Sequence, residues 1–182
     1  VNNELYKQKF QQMKILILGG TGFIGTNIIH KFSKKKNYKI FATWNKEKII
    51  DNNKNITWIK CDLRNSKKVT STTKNKDIVI QAAATTSGVN DIINRPYIHI
   101  ADNAIMNANI FRSCHINNVK HLIFLSCTTM YKSSKKPLKE YEFDPNKDID
   151  KKYFGVANTK IYNEKMCEFY STIGKTKYSA IR

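Results

Sequence analysis

The sequence predicts a doubly wound α/β fold, a parallel sheet of about six strands with helices on both faces. Three observations lead there. Apolar strand segments alternate with helical segments from residue 14 to residue 181. The first strand is a continuous apolar run, as expected of a strand covered on both faces. That strand ends in three glycines at regular spacing, Gly19, Gly22 and Gly25, and a helix begins at once.

The elements follow in order. Residues 14–18 (KILIL) form the first strand, and a helix over 23–35 carries an apolar face of Phe23, Ile24, Ile28, Ile29 and Phe32. Strands follow at 38–43 and 56–60, a helix at 64–73, and a strand at 77–81. A long helix over 97–117 has Ile98, Ala101, Ile105, Ala108, Ile110 and Phe111 as its apolar face, with Asp102, Asn107 and Asn109 mostly elsewhere. A strand at 120–126, a helix at 153–173 and a strand at 177–181 complete the series. Right-handed crossovers make this a Rossmann-like arrangement, whose ligand chemistry gathers at the carboxyl ends of the strands.

At 182 residues the chain suffices for one domain with a core. Residues 1–12 are polar and read as a loose leader, leaving 13–182 as the domain. The series stops directly after the sixth strand, so a separate substrate domain is expected to be absent from this chain. No apolar run approaches a membrane span. The four cysteines form no C-x-x-C pair and the four histidines no ligand spacing, so no metal site is expected and a reducing cytoplasm is the default. The net charge is +18. Only Arg64, Arg95, Arg112 and Arg182 are arginines, so 28 of the 32 basic residues are lysines, and they are dispersed. Asparagine and isoleucine are also abundant, the usage of an AT-rich genome. No arginine–aromatic interleaving offers a base-stacking surface, so nucleic acid is not the expected partner.

The glycine turn carries the chemistry. Gly19 permits the tight turn, Gly22 lets backbone approach a pyrophosphate, and Gly25 lets helix and strand pack closely. The anion would sit on the helix start, against Phe23, Ile24 and their N–H groups. The end of the second strand selects the cofactor. NAD sites place an acid there, but this chain has Thr43, Trp44, Asn45 and Lys46, with Glu47 and Lys48 beyond. That favours NADP over NAD. Trp44 is read either as stacking on adenine or as packed.

With these motifs, the chain resembles the NAD-dependent epimerase/dehydratase family, the extended short-chain dehydrogenase/reductases. The resemblance rests on GGTGFIG at 19–25, CDLR at 61–64, QAAATTSGV at 81–89, the helix bearing Asn103, LIFLSCTTMY at 122–131 and a Lys160 helix continuing as KMCEFY. Several stretches look most like the GDP-fucose synthase branch. The resemblance implies that Asp62 accepts a hydrogen bond from the adenine amino group, with Leu63 beside it. A helix N-cap at Asp62 is the other reading. It also implies that Ala82, Ala83 and Ala84 leave room for cofactor, against the alternative of tight helix packing.

The family's catalytic set is a Ser or Thr after the fifth strand, a Tyr, and a Lys four residues later. Here Lys160 matches, and it would also hold the nicotinamide ribose. Cys127 falls at the Ser/Thr position, followed by Thr128, and Val156 falls at the Tyr position. Three readings remain open. Tyr153 supplies the proton; or the mechanism is changed and uses Cys127 or a residue outside the chain; or the protein binds cofactor without catalysis.

The resemblance therefore implies an NAD(P)-dependent nucleotide-sugar epimerase, reductase or dehydratase, cytoplasmic, with a homodimer through the 97–117 and 153–173 helices. A cofactor-binding regulatory module of the same fold is the alternative, and an RNA-binding relative a third reading.

Overall fold

In a computed structural model, which describes residues 12–46, 53, 55–86, 89–147 and 149–182, six strands form one fully parallel sheet. They are β1 (Met13–Leu18), β2 (Tyr38–Trp44), β3 (Ile56–Lys60), β4 (Ile78–Gln81), β5 (His121–Leu125) and β6 (Lys177–Ile181). Their spatial order is β3-β2-β1-β4-β5-β6. The strand order reverses between β1 and β4, and that switch point opens a crevice at their carboxyl ends. The expected leader lies outside the described residues apart from Gln12, and so do Glu47, Lys48 and Gly88.

The apolar run of β1 is buried on both faces because successive side chains alternate. Ile15 and Ile17 pack with Ile29, Ile40 and Ile80 on one side. Leu16 and Leu18 pack with Val79, Leu122, Phe124, Ile110 and Phe111 on the other. The first layer is closed by α1 (Phe23–Phe32) and the second by α2 (Ser66–Thr73), α4 (Ala101–Ile116) and α5 (Phe154–Ile173). Phe111 is the centre of the larger core. Its ring meets Phe124 edge-on at 5.7 Å, and the Tyr178 hydroxyl donates to its carbonyl at 3.2 Å.

The structure corrects the sequence reading in five places. The helix expected at 64–73 begins at Ser66, because Asn65 is its N-cap and accepts the Lys68 N–H. Asp62 is therefore not a helix cap. The helix expected at 97–117 is a 3-10 turn, Pro96–His99, followed by α4. A short helix, α3 (Val89–Asn94), precedes it and was not anticipated. The core face of α4 is Met106, Asn107, Ile110, Phe111 and Cys114, whereas Ala101, Ile105 and Ala108 are exposed. Asn107 turns inward because the Gln81 amide donates to its Oδ1 at 2.8 Å in the core. Finally, Phe23 and Ile24 do not join the buried face of α1: they are 87% and 49% exposed.

Candidate functional site

A cleft of about 550 Å³ lies at the switch point, between the glycine turn, the end of β2, the β3–α2 loop and the end of β4. That size suits a small-molecule or cofactor site. The turn is built by close backbone approach. Gly19 has φ +79°, and a Cβ there would stand 2.6 Å from Ala83 Cα. A Cβ on Gly25 would collide with Gly19 O and the Gly20 backbone, so this glycine lets α1 seat on the turn. The turn is pinned to β2 by buried Thr43, whose Oγ1 and O accept from Gly19 N–H (2.9 Å) and Gly20 N–H (2.8 Å).

Gly22 differs. It is the N-cap of α1 with φ −76° and ψ 165°, ordinary extended backbone. A Cβ there would meet only Gly19 O, at 3.4 Å. No side chain caps α1 and its first turn holds no acidic residue, so the positive end of the helix is left to the cleft. Phe23 and Ile24 line the cleft beside it, which accounts for their exposure.

The other expected cofactor contacts converge here. Asn45, Lys46, Asp62, Leu63 and Ala82–Ala84 all line the cleft, as does Trp44, whose ring lies under Lys60 Nζ at 5.0 Å. Ala83 is held by Gln81: its N–H donates to Gln81 Oε1 (3.2 Å) and its carbonyl accepts from Gln81 Nε2 (3.1 Å). Arg64 also lines the cleft, forming hydrogen bonds to Asp62 and an ion pair to Asp102. Its side-chain hydrogen bonds hold the Asp62 carboxyl down to about 2, so that group is ionised throughout the neutral range. Arg64 and Asp102 were not singled out in the sequence, and Thr43 was read only as part of the segment at the end of the second strand, not as the pin of the glycine turn. A signal for Arg64 lay in the CDLR segment itself; the others are set by contacts 24 and 38 residues apart.

The four catalytic candidates do not line this cleft. Lys160 of α5 is half-buried, its Nζ donating to Leu125 O at 2.7 Å and lying 4.7 Å from the Phe124 ring centroid. Burial lowers its pKa below the ordinary lysine value, opposed by Cys127 and Glu164. Cys127, half-buried after β5, shares a 3.1 Å hydrogen bond with Thr129 Oγ1, and Thr128 is exposed. Tyr153 ends a 3-10 turn, Lys151–Tyr153, immediately before α5, with Lys152 Nζ 5.2 Å from its ring centroid. Val156 lies half-buried in the first turn of α5. Sequence reading also missed a polar cluster at the ends of β5 and β6. Ser126 Oγ and the Arg182 guanidinium both donate to Glu164, and Arg182 also donates to Tyr131 Oη at 2.8 Å.

Residues 15–182 match the NAD dependent epimerase/dehydratase family. A GDP-L-fucose synthase of Azorhizobium caulinodans is 30% identical over 176 residues, covering 92% of this chain and 50% of the relative. A GDP-L-colitose synthase of Yersinia pseudotuberculosis is 28% identical over 160 residues, covering 86% of this chain and 47% of the relative. Among solved structures, the UDP-N-acetylglucosamine 4-epimerase of Methanobrevibacter ruminantium superposes with a TM-score of 0.78 at 27% identity, over 94% of this chain and 55% of that one. The chain spans about half the length of the curated relatives it matches. It belongs to the NAD dependent epimerase/dehydratase family.

Proposed function

We propose that this member of the NAD dependent epimerase/dehydratase family binds NADP(H), in preference to NAD(H), at the glycine turn. In this reading it forms the cofactor-binding part of a nucleotide-sugar epimerase or reductase. The observation that carries the reading is Gly22. Its backbone suits any residue and a Cβ there has room, so packing does not call for glycine. Close approach of a ligand to the helix start does.

The chain's own groups divide the work. The N–H groups at the start of α1 receive the pyrophosphate, and Ala82–Ala84 leave space along the end of β4. Asp62, ionised and held by Arg64, accepts from the adenine amino group. Asn45 and Lys46 lie at the end of β2, where no acid stands among the described residues and a cation suits a 2′-phosphate. When bound, the nicotinamide takes and returns a hydride at a sugar carbon. At the oxygen on that carbon, Cys127 and Thr128 would supply hydrogen bonds. Tyr153 would move the proton in place of the tyrosine missing at Val156. Lys160 would hold the nicotinamide ribose and the tyrosine's charge.

The nucleotide-sugar substrate is supported by the relatives' names, which are GDP-sugar and UDP-sugar enzymes. Exposed apolar side chains on α4 (Ile105, Ile116) and α5 (Tyr162, Phe169) support a homodimer through these helices. Among the described residues all four cysteines are free, which fits the cytoplasm, and no helix is long and apolar enough to cross a membrane.

Titration of the chain with NADPH and NADH tests the reading. Tighter NADPH binding is expected, with the gap narrowing as salt rises, because a phosphate charge makes the difference. Tighter binding of NADH reverses the cofactor assignment.

A further inference from the structure

Asp62 and Arg64, two residues apart in the cleft, form a hydrogen-bonded unit. The Arg64 backbone N–H and Nε both donate to Asp62 Oδ1 at 3.0 Å, and Nη2 donates to Oδ2 at 2.8 Å. The remaining arm, Nη1, crosses to Asp102 Oδ2 on α4 at 3.1 Å. The same helix ties down the loop backbone, since Asn109 Nδ2 donates to the carbonyls of Leu63 (3.2 Å) and Arg64 (3.0 Å). The carboxylate is thereby fixed from two sides, by the fork of Arg64 and by the anchorage of that fork to α4.

We infer that Arg64 is a positioning residue: anchored on Asp102, it sets the Asp62 carboxylate so that the site selects an adenine amino group. This rests on the dinucleotide reading of the cleft. A carboxylate offers about four lone-pair positions. Three are taken by Arg64, two on Oδ1 and one on Oδ2, which leaves one on Oδ2 for a single further donor. Adenine presents an N–H donor at its exocyclic position. Hypoxanthine presents a carbonyl oxygen there, an acceptor facing the remaining acceptor lone pair of Asp62. The side chains of Arg64, Asp62 and Asp102 are 42%, 34% and 35% exposed, and ion pairs so exposed add little to stability. The arrangement is therefore better matched to orientation than to holding the fold. A lysine cannot replace it, because one ammonium lacks the planar fork that reaches both carboxylates.

The test measures affinity for NADPH and for its hypoxanthine analogue in the unsubstituted chain, Arg64→Ala, Arg64→Lys and Asp102→Asn. The unsubstituted chain is expected to prefer adenine by about tenfold or more, the scale of one hydrogen bond to a charged group. Arg64→Ala and Arg64→Lys should bring that ratio to within about twofold by weakening NADPH alone, with unchanged melting temperature, and Asp102→Asn should fall between. An unaltered ratio in Arg64→Ala overturns the inference. So does an equal loss for both dinucleotides, which would mark a direct contact or a structural role. If the unsubstituted chain binds both dinucleotides equally, the cleft reading stands and the adenine selection does not. If it binds neither, both fall.

Discussion

Gly22 and Gly25 sit one helical turn apart, and the chain requires them for different reasons. A methyl group on Gly25 would strike the Gly19 carbonyl and the Gly20 backbone, neither of which can swing aside. Gly25→Ala is therefore expected to cost about 1–3 kcal/mol through overpacking, read by thermal or denaturant unfolding. An unchanged unfolding midpoint would show that α1 is not seated as described. These glycine positions were legible in the sequence because their roles are local: strand, turn and helix lie within a dozen residues. Asp62 lines the cleft, and its alternative role as a cap was settled only by the fold, which gave that task to Asn65. The bridge from Arg64 to Asp102 was not legible, because Asp102 comes from a helix 38 residues further on.

The helices show what periodicity can and cannot decide. Along α4 the apolar residues Ala101, Ile105 and Ala108 share a stripe, yet that stripe is exposed, and Asn107 faces the core. A buried asparagine is tolerated there because Gln81 of β4 pairs with it, a contact that no local pattern contains. The exposed stripe of α4 and the exposed Tyr162 and Phe169 of α5 then call for cover. If two copies meet through these helices, the chain sediments as a dimer at micromolar concentration, and Ile105→Glu with Tyr162→Glu shifts it to monomer without unfolding it. A monomer in the unsubstituted chain across that range would remove the dimer proposal. The core beneath follows ordinary rules: Phe111→Ala removes the ring that Phe124, Tyr170 and Tyr178 surround, at an expected cost of about 3–5 kcal/mol in denaturant unfolding.

For the molecule as a whole, the parallel sheet, its six strands and the cleft at its switch point follow from the alternation of apolar segments and the glycine turn. The catalytic assignment does not. Lys160, Cys127 and Tyr153 stand outside the cleft, and the sequence resemblance puts Val156 at the tyrosine position. The 182-residue chain is accordingly expected to bind cofactor and to turn over no GDP- or UDP-sugar. If Val156 is the reason, Val156→Tyr restores turnover, since a general acid–base group contributes about 10²- to 10⁴-fold. Robust turnover by the unsubstituted chain would contradict this, and Tyr153→Phe would then show whether Tyr153 carries the proton. The central claim is that the glycine turn holds a dinucleotide, and calorimetric titration of Gly22 variants with NADPH tests it most directly. The backbone at Gly22 accepts a side chain and a Cβ has room, so Gly22→Ala and Gly22→Val should still fold, losing only the modest stability that replacing an N-cap glycine costs. Both should nevertheless bind NADPH more weakly, Val by about tenfold or more, because the side chain takes the place of the pyrophosphate. Affinity in Gly22→Val equal to that of the unsubstituted chain would contradict the account.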